Sequence, residues 1–184
     1  MASTQDPYAE LRALEREFFR IDDDVVRRIR KLKPRLMTYA KQALDTVFDH
    51  LKTNPIVADY FADEDNLAFL TSGMLAHCDR VLSARFDADY YEAVSQMGLR
   101  HSKLDYPSFV YTAAYSNMLT SMQHQAAKDR KRFSEDDAAA LNRIALYDVE
   151  LAQAAFFQHQ IEKVRALNAD MAKVQHLIDR PDAA

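Results

Sequence analysis

The chain has 184 residues, enough for one domain with a sizeable buried core, and 48% of them are apolar. Two glycines, Gly73 and Gly98, and five prolines are too few turn-forming residues for a β-rich fold, and with 28% charged residues the composition points to amphipathic helices on short connections. The net charge of −4 is spread along the chain, and the one basic run, Arg27 to Lys33, follows Asp22, Asp23 and Asp24 and reads as a solvated helix face, not a nucleic-acid site.

In chain order, Leu11, Leu14, Phe18, Ile21 and Val25 recur at helical steps, with a break expected near Asp22–Asp24, where Asp22 can cap a new helix. Pro34 suits the first turn of a further helix carrying Leu36, Ala40, Leu44, Val47 and Leu51 on one side. Asn54-Pro55 ends it, because the proline ring disfavours the helical region for the residue before it. After a short segment from Ile56 to Phe61, Asp63-Glu64-Asp65 opens a helix whose apolar face reads Leu67, Leu70, Met74, His77, Val81. Asp87 or Asp89 begins the next, with Tyr90, Val94, Met97, His101 and Leu104 together. Pro107 starts a long helix to about Lys128. Ser134, with Asp137 three residues on, approximates a capping box for a last helix that could reach Asp179.

The tail of that helix changes character. Val164, Leu167, Met171, Val174 and Ile178 follow the 3-4-3-4 spacing of a coiled-coil seam, either packed on its own domain or forming a dimeric stalk. The expected division is a domain over residues 1–160 and a linker helix over 161–184. With Cys78 as the only cysteine no intramolecular disulfide can form, and a reducing compartment is permitted. The polar start carries no signal peptide, and no apolar run approaches the roughly 20 residues that span a bilayer. The expected location is therefore cytoplasmic, with no membrane insertion and no nucleic acid bound.

Of six histidines (His50, His77, His101, His124, His159 and His176) only His77 and His101 fall on apolar faces. Such a histidine either makes a core hydrogen bond or ligates a metal or haem. The sequence has no His-Glu-x-x-His, no cysteine pair, no paired Glu-x-x-His for a di-iron bundle, no Gly-rich phosphate loop and no nucleophile motif. No enzyme chemistry is indicated.

The stretch from Gly98 through His101, Tyr106 and Pro107 to Tyr115 resembles the proximal region of the globin-coupled sensors, the protoglobin-like family found at the N-terminus of bacterial chemotaxis transducers. A glycine stands three residues before a histidine, followed by a short loop, a proline and an aromatic-rich helix start. Arg85-Phe86-Asp87 to Tyr91 resembles the lead into that helix. Val47-Phe48-Asp49-His50-Leu51 and Asn54-Pro55 to Phe61 resemble the distal helix and its turn. The resemblance spans roughly residues 10–160.

The resemblance implies an all-α, globin-like helical sandwich with an extra N-terminal helix and an extended C-terminal signalling helix. It implies haem b (iron protoporphyrin IX) with His101 as the iron ligand, and Phe48, Phe61, Leu70, Met74, Val94, Met97 and Leu104 along the macrocycle. Gly98 could leave room for the porphyrin or simply serve packing. Arg85 or Arg100 could meet a propionate. The implied partners are a diatomic gas, a second copy of the chain, and a C-terminal output domain, here a chemotaxis transducer. Tyr115, Met118, Met122, Ala145 and Ala152 are candidate dimer contacts or core.

One departure stands out. Many members carry a distal tyrosine where this chain has Phe48, which has no donor for a bound ligand. Another distal group such as His77 could substitute, the ligand could differ, or the domain could work as a haem-free dimerisation module.

Overall fold

A computed structural model describes residues 8–104, 106–129 and 133–178, all helix and short connections with no strand among them. Six α-helices follow in order: α1 (Ala9–Phe18), α2 (Asp23–Thr53), α3 (Glu64–Leu82), α4 (Ala88–Ser102), α5 (Phe109–Lys128) and α6 (Glu135–Ile178). A short 3-10 helix, Ala58–Phe61, joins α2 to α3. Of the expected features, Asp105 and Asp179 lie outside the described residues, as do the side chains of Val174, His176 and Ile178.

The helix starts follow cap chemistry. Asp22 accepts from the Val25 N–H at 2.9 Å, and Asp87 from the Tyr90 N–H at 3.0 Å. Before α6 the box closes in both directions: Ser134 N–H donates to Asp137 at 2.8 Å, and Asp137 N–H donates to the Ser134 hydroxyl at 3.2 Å. The end of α2 at Thr53 is where Asn54-Pro55 requires it, with Asn54 in extended backbone.

Pro34 does not start a helix. It sits inside α2, which runs unbroken for 31 residues. The reason is burial. Val25, Ile29, Leu32, Leu36, Ala40, Leu44, Val47 and Leu51 form one continuous buried stripe, while Pro34 is on the exposed side. An interior proline costs about 3 kcal/mol, and burying each large apolar side chain contributes about 1.5–3 kcal/mol, so the stripe outweighs the proline.

The basic run is also more engaged than a solvated face. Arg30 donates to the carbonyls of Ser83 and Ala84 at 3.0 and 2.9 Å, and Lys33 pairs with Asp79 at 2.7 Å. Arg28 meets Asp137 at 3.0 Å, while Arg27 points outward to Asp24. Arg30 and Lys33 clamp the corner between α3 and α4, where Ala84 and Phe86 take left-handed φ of 45° and 52°. Such residues cost roughly 1–2 kcal/mol each, and the clamp holds them there. The corner aims α4, which lies along α6, while α2 lies along α5 and α3 lies chiefly against α2.

The first helix packs in an unusual sense. Its charged side faces the domain: Arg12 lies over the Tyr91 ring at 3.9 Å, and Arg16 donates to the Tyr91 hydroxyl at 2.5 Å. Leu11, Leu14 and Phe18 face out, Phe18 at 90% exposure.

Candidate functional site

His101 stands in the last turn of α4, half-buried. Its Nδ1 lies 2.9 Å from the Met97 carbonyl, an acceptor, so that nitrogen carries the proton and Nε2 keeps its lone pair. The ring rests on Tyr111 of α5 with centroids 4.6 Å apart. Burial pushes the imidazole pKa down against the pull of the Met97 carbonyl, and Arg100 and His77 push the same way. The group is thus a neutral imidazole with a fixed tautomer and an available Nε2, the form a metal takes.

The apolar residues expected around a macrocycle fall into two sets. Phe48 and Val94 are buried, at 5% and 0% exposure. Phe48 packs on Phe61 with centroids 5.9 Å apart. Phe61, Leu70, Met74, Met97 and Leu104 are only half-covered. This follows from how α3 packs. Its buried residues His77, Cys78, Val81 and Leu82 all lie in the C-terminal half. From Leu67 to Leu75 the apolar side chains Leu67, Leu70, Met74 and Leu75 are only part-covered, and Phe69 is 73% exposed. A Cβ added at Gly73 would meet nothing within 4 Å. The helix is thus anchored at one end and leaves apolar surface uncovered at the other. Tyr106, Val110 and Tyr111, just past α4, are half-covered too. The Tyr111 hydroxyl is buried without a hydrogen-bond partner. A neutral imidazole, part-covered apolar side chains and an unmet polar atom beside the imidazole fit a flat, largely apolar group such as a haem.

Gly98 serves packing, not the macrocycle. A Cβ there would collide with the Ala152 carbonyl oxygen and come within 2.9 Å of the Ala155 Cβ, so the absent side chain lets α4 approach α6. Of the candidate dimer contacts, Met118, Met122, Ala145 and Ala152 are buried within the chain's own core. Tyr115 belongs there as well, since its hydroxyl donates to Asp148 at 3.3 Å. Of the two arginines, Arg100 turns back to the Gln96 carbonyl of its own helix, at 3.2 Å.

His77 has the core fate. Its Nε2 lies 2.8 Å from Oδ2 of Asp148 on α6. Asp148 is fully buried and also accepts from the Tyr90 hydroxyl, Oδ1 at 3.1 Å. Beside it, burial and the Asp148 charge hold the hydroxyls of Tyr90 and Tyr115 protonated far above the usual tyrosine range. Sequence reasoning passed over Asp148, although the signal was present. It is a lone acid on the otherwise apolar stripe Leu141, Ile144, Ala145, Ala152.

The helical layers, with a half-buried imidazole at the end of α4, define a globin-like domain. The family model of Protoglobin matches residues 9–162, and the chain belongs to the Protoglobin family. No curated protein matches the chain. Among the described residues no helix is long and apolar enough to cross a membrane.

Proposed function

We propose that this domain binds haem b through His101 and senses a diatomic gas. The observation that carries the reading is the His101 imidazole, neutral, held by the Met97 carbonyl and offering Nε2. Among the described residues no cluster of three or more His, Cys, Asp or Glu side chains could hold a bare metal ion. A single protein ligand suffices when a porphyrin brings the other four nitrogens. The bound group would supply a reduced iron centre able to take a small gas molecule. Met97 on α4, Leu104 just past its end, Leu70 and Met74 on α3, Phe61 with Phe48 against it, and the buried Val94 would exclude water from the macrocycle.

The function is a shift in population between helix arrangements, not catalysis. A ligand biases such an equilibrium only through different affinity for the two states. The extended part of α6 carries Ile161, Val164, Leu167 and Met171 at 47–69% exposure, an apolar stripe suited to a second copy of the chain and to an output domain beyond it. By resemblance that output is a chemotaxis transducer and the location is the cytoplasm.

A second reading, a haem-free dimerisation module, draws on Phe48 and Val94, which the core already buries. Titration of the purified chain with haem decides between them. Stoichiometric uptake with a sharpened Soret band, shifting when carbon monoxide is added to the reduced protein, is the expected result. Absence of uptake would leave only the second reading.

A further inference from the structure

The carboxylate of Asp148 on α6 is the meeting point of three other helices. His77 of α3 reaches Oδ2 at 2.8 Å, Tyr115 of α5 reaches the same oxygen at 3.3 Å, and Tyr90 of α4 reaches Oδ1 at 3.1 Å. The residue is 0% exposed. Ionic groups this deep are poor stabilisers compared with apolar packing of the same volume, but removing one partner is costly and their geometry is demanding. Apolar contacts slide, whereas a hydrogen bond of this length is lost when its donor moves by about 1 Å or turns away. Any displacement of α3, α4 or α5 against α6 must therefore be registered at this one carboxylate.

Two of the three arms lead to His101. Tyr90 lies in the first turn of the helix whose last turn holds His101. On the other side the His101 ring rests on Tyr111 at 4.6 Å, and Tyr111 faces Tyr115, one turn further along α5, at 6.0 Å. Two turns beyond Asp148, after Phe156, α6 leaves the core. Phe157 is 50% exposed, and Ile161, Val164, Leu167 and Met171 follow it outward.

We propose that Asp148 is the joint through which a displacement of the His101-bearing helix reaches the outer part of α6, with His77, Tyr90 and Tyr115 as its arms. The inference rests on the haem reading. Its consequence is specific. Removing an arm uncouples α6 from the ligand without displacing the haem.

The test uses the full chain loaded with haem and reduced, with and without carbon monoxide, read by hydrogen exchange over residues 157–178. In the unmodified chain the gas should change exchange in this segment. Asp148→Asn, Tyr90→Phe and Tyr115→Phe should each reduce that ligand-dependent difference, by about fivefold if the coupling is at the low end of the ordinary range. Their Soret bands should stay in place. Tyr91→Phe is the control. It removes a buried hydroxyl of the same kind, bonded to Arg16 and Tyr147 and not to Asp148, and should keep the full difference. Should Asp148→Asn fail to fold, the two tyrosine variants decide. If they retain the full difference, or Tyr91→Phe loses it equally, the joint is wrong. If the chain takes up haem but carbon monoxide leaves exchange in α6 unchanged, the joint falls alone. If it takes up no haem, the joint falls together with the haem reading.

Discussion

At the scale of single residues, Asp137 shows how a few side chains set both stability and its pH dependence. Burial alone would raise its pKa, but the Ser134 N–H and hydroxyl and the Arg28 guanidinium outweigh that and bring it below the usual carboxylate range. A depressed folded-state value means the contribution is present in full above the unfolded pKa, about 3.9, and is lost as pH falls through the lower folded value. Asp137→Ala should cost roughly 1–2 kcal/mol at neutral pH, the usual worth of such a cap. Urea titrations repeated toward pH 3 should show the gap between variant and parent closing. At position 48 the expectation concerns the ligand. Phe48→Tyr would add a buried donor, and such a bond is worth about 1.5–3 kcal/mol to a polarised acceptor. Oxygen affinity should rise by roughly tenfold to a hundredfold while carbon monoxide affinity changes little. Equal effects on both gases would show that residue 48 does not face the ligand.

At the scale of helices, Gly98 is the tightest constraint. Gly98→Ala forces a methyl into the Ala152 carbonyl, and α4 must separate from α6. Overpacking of this kind costs about 1–3 kcal/mol, to be measured as a lower midpoint of urea unfolding. An unchanged midpoint would show that the two helices already have room. What the sequence disclosed follows the same division between local and tertiary causes. Asp22, Asp87 and the Ser134–Asp137 box were legible because a cap acts on N–H groups two or three residues away. Asn54-Pro55 was legible because its constraint lies within one dipeptide. Pro34 misled, since its local preference for a first turn is overridden by a stripe buried on both sides of it. The role of Gly98 was hidden because its neighbours, Ala152 and Ala155, are more than fifty positions away in the chain. His101 and His77 looked alike as histidines on apolar faces, and only the acceptors they meet, a backbone carbonyl and a buried carboxylate, separate them.

At the scale of the whole molecule, a few buried polar side chains hold the apolar interior in register, while the outer part of α6 leaves apolar side chains exposed. The Asp148 network ties four helices together, and the clamp from Arg30 and Lys33 fixes the corner leading to α4. On the proposed reading, the outer stripe of α6, with Leu167 and Met171 exposed, is where a second copy would dock. Replacing Leu167 and Met171 together by Glu should leave helicity unchanged and convert a dimer to a monomer in sedimentation analysis. A monomeric parent chain would contradict that use of the stripe. The most direct test of the account as a whole is the visible spectrum of His101→Ala beside the unmodified chain, both incubated with haem and passed through a desalting column. The Soret band should stay with the unmodified protein and be missing from the variant. A variant that elutes with the same spectrum as its parent would contradict the account.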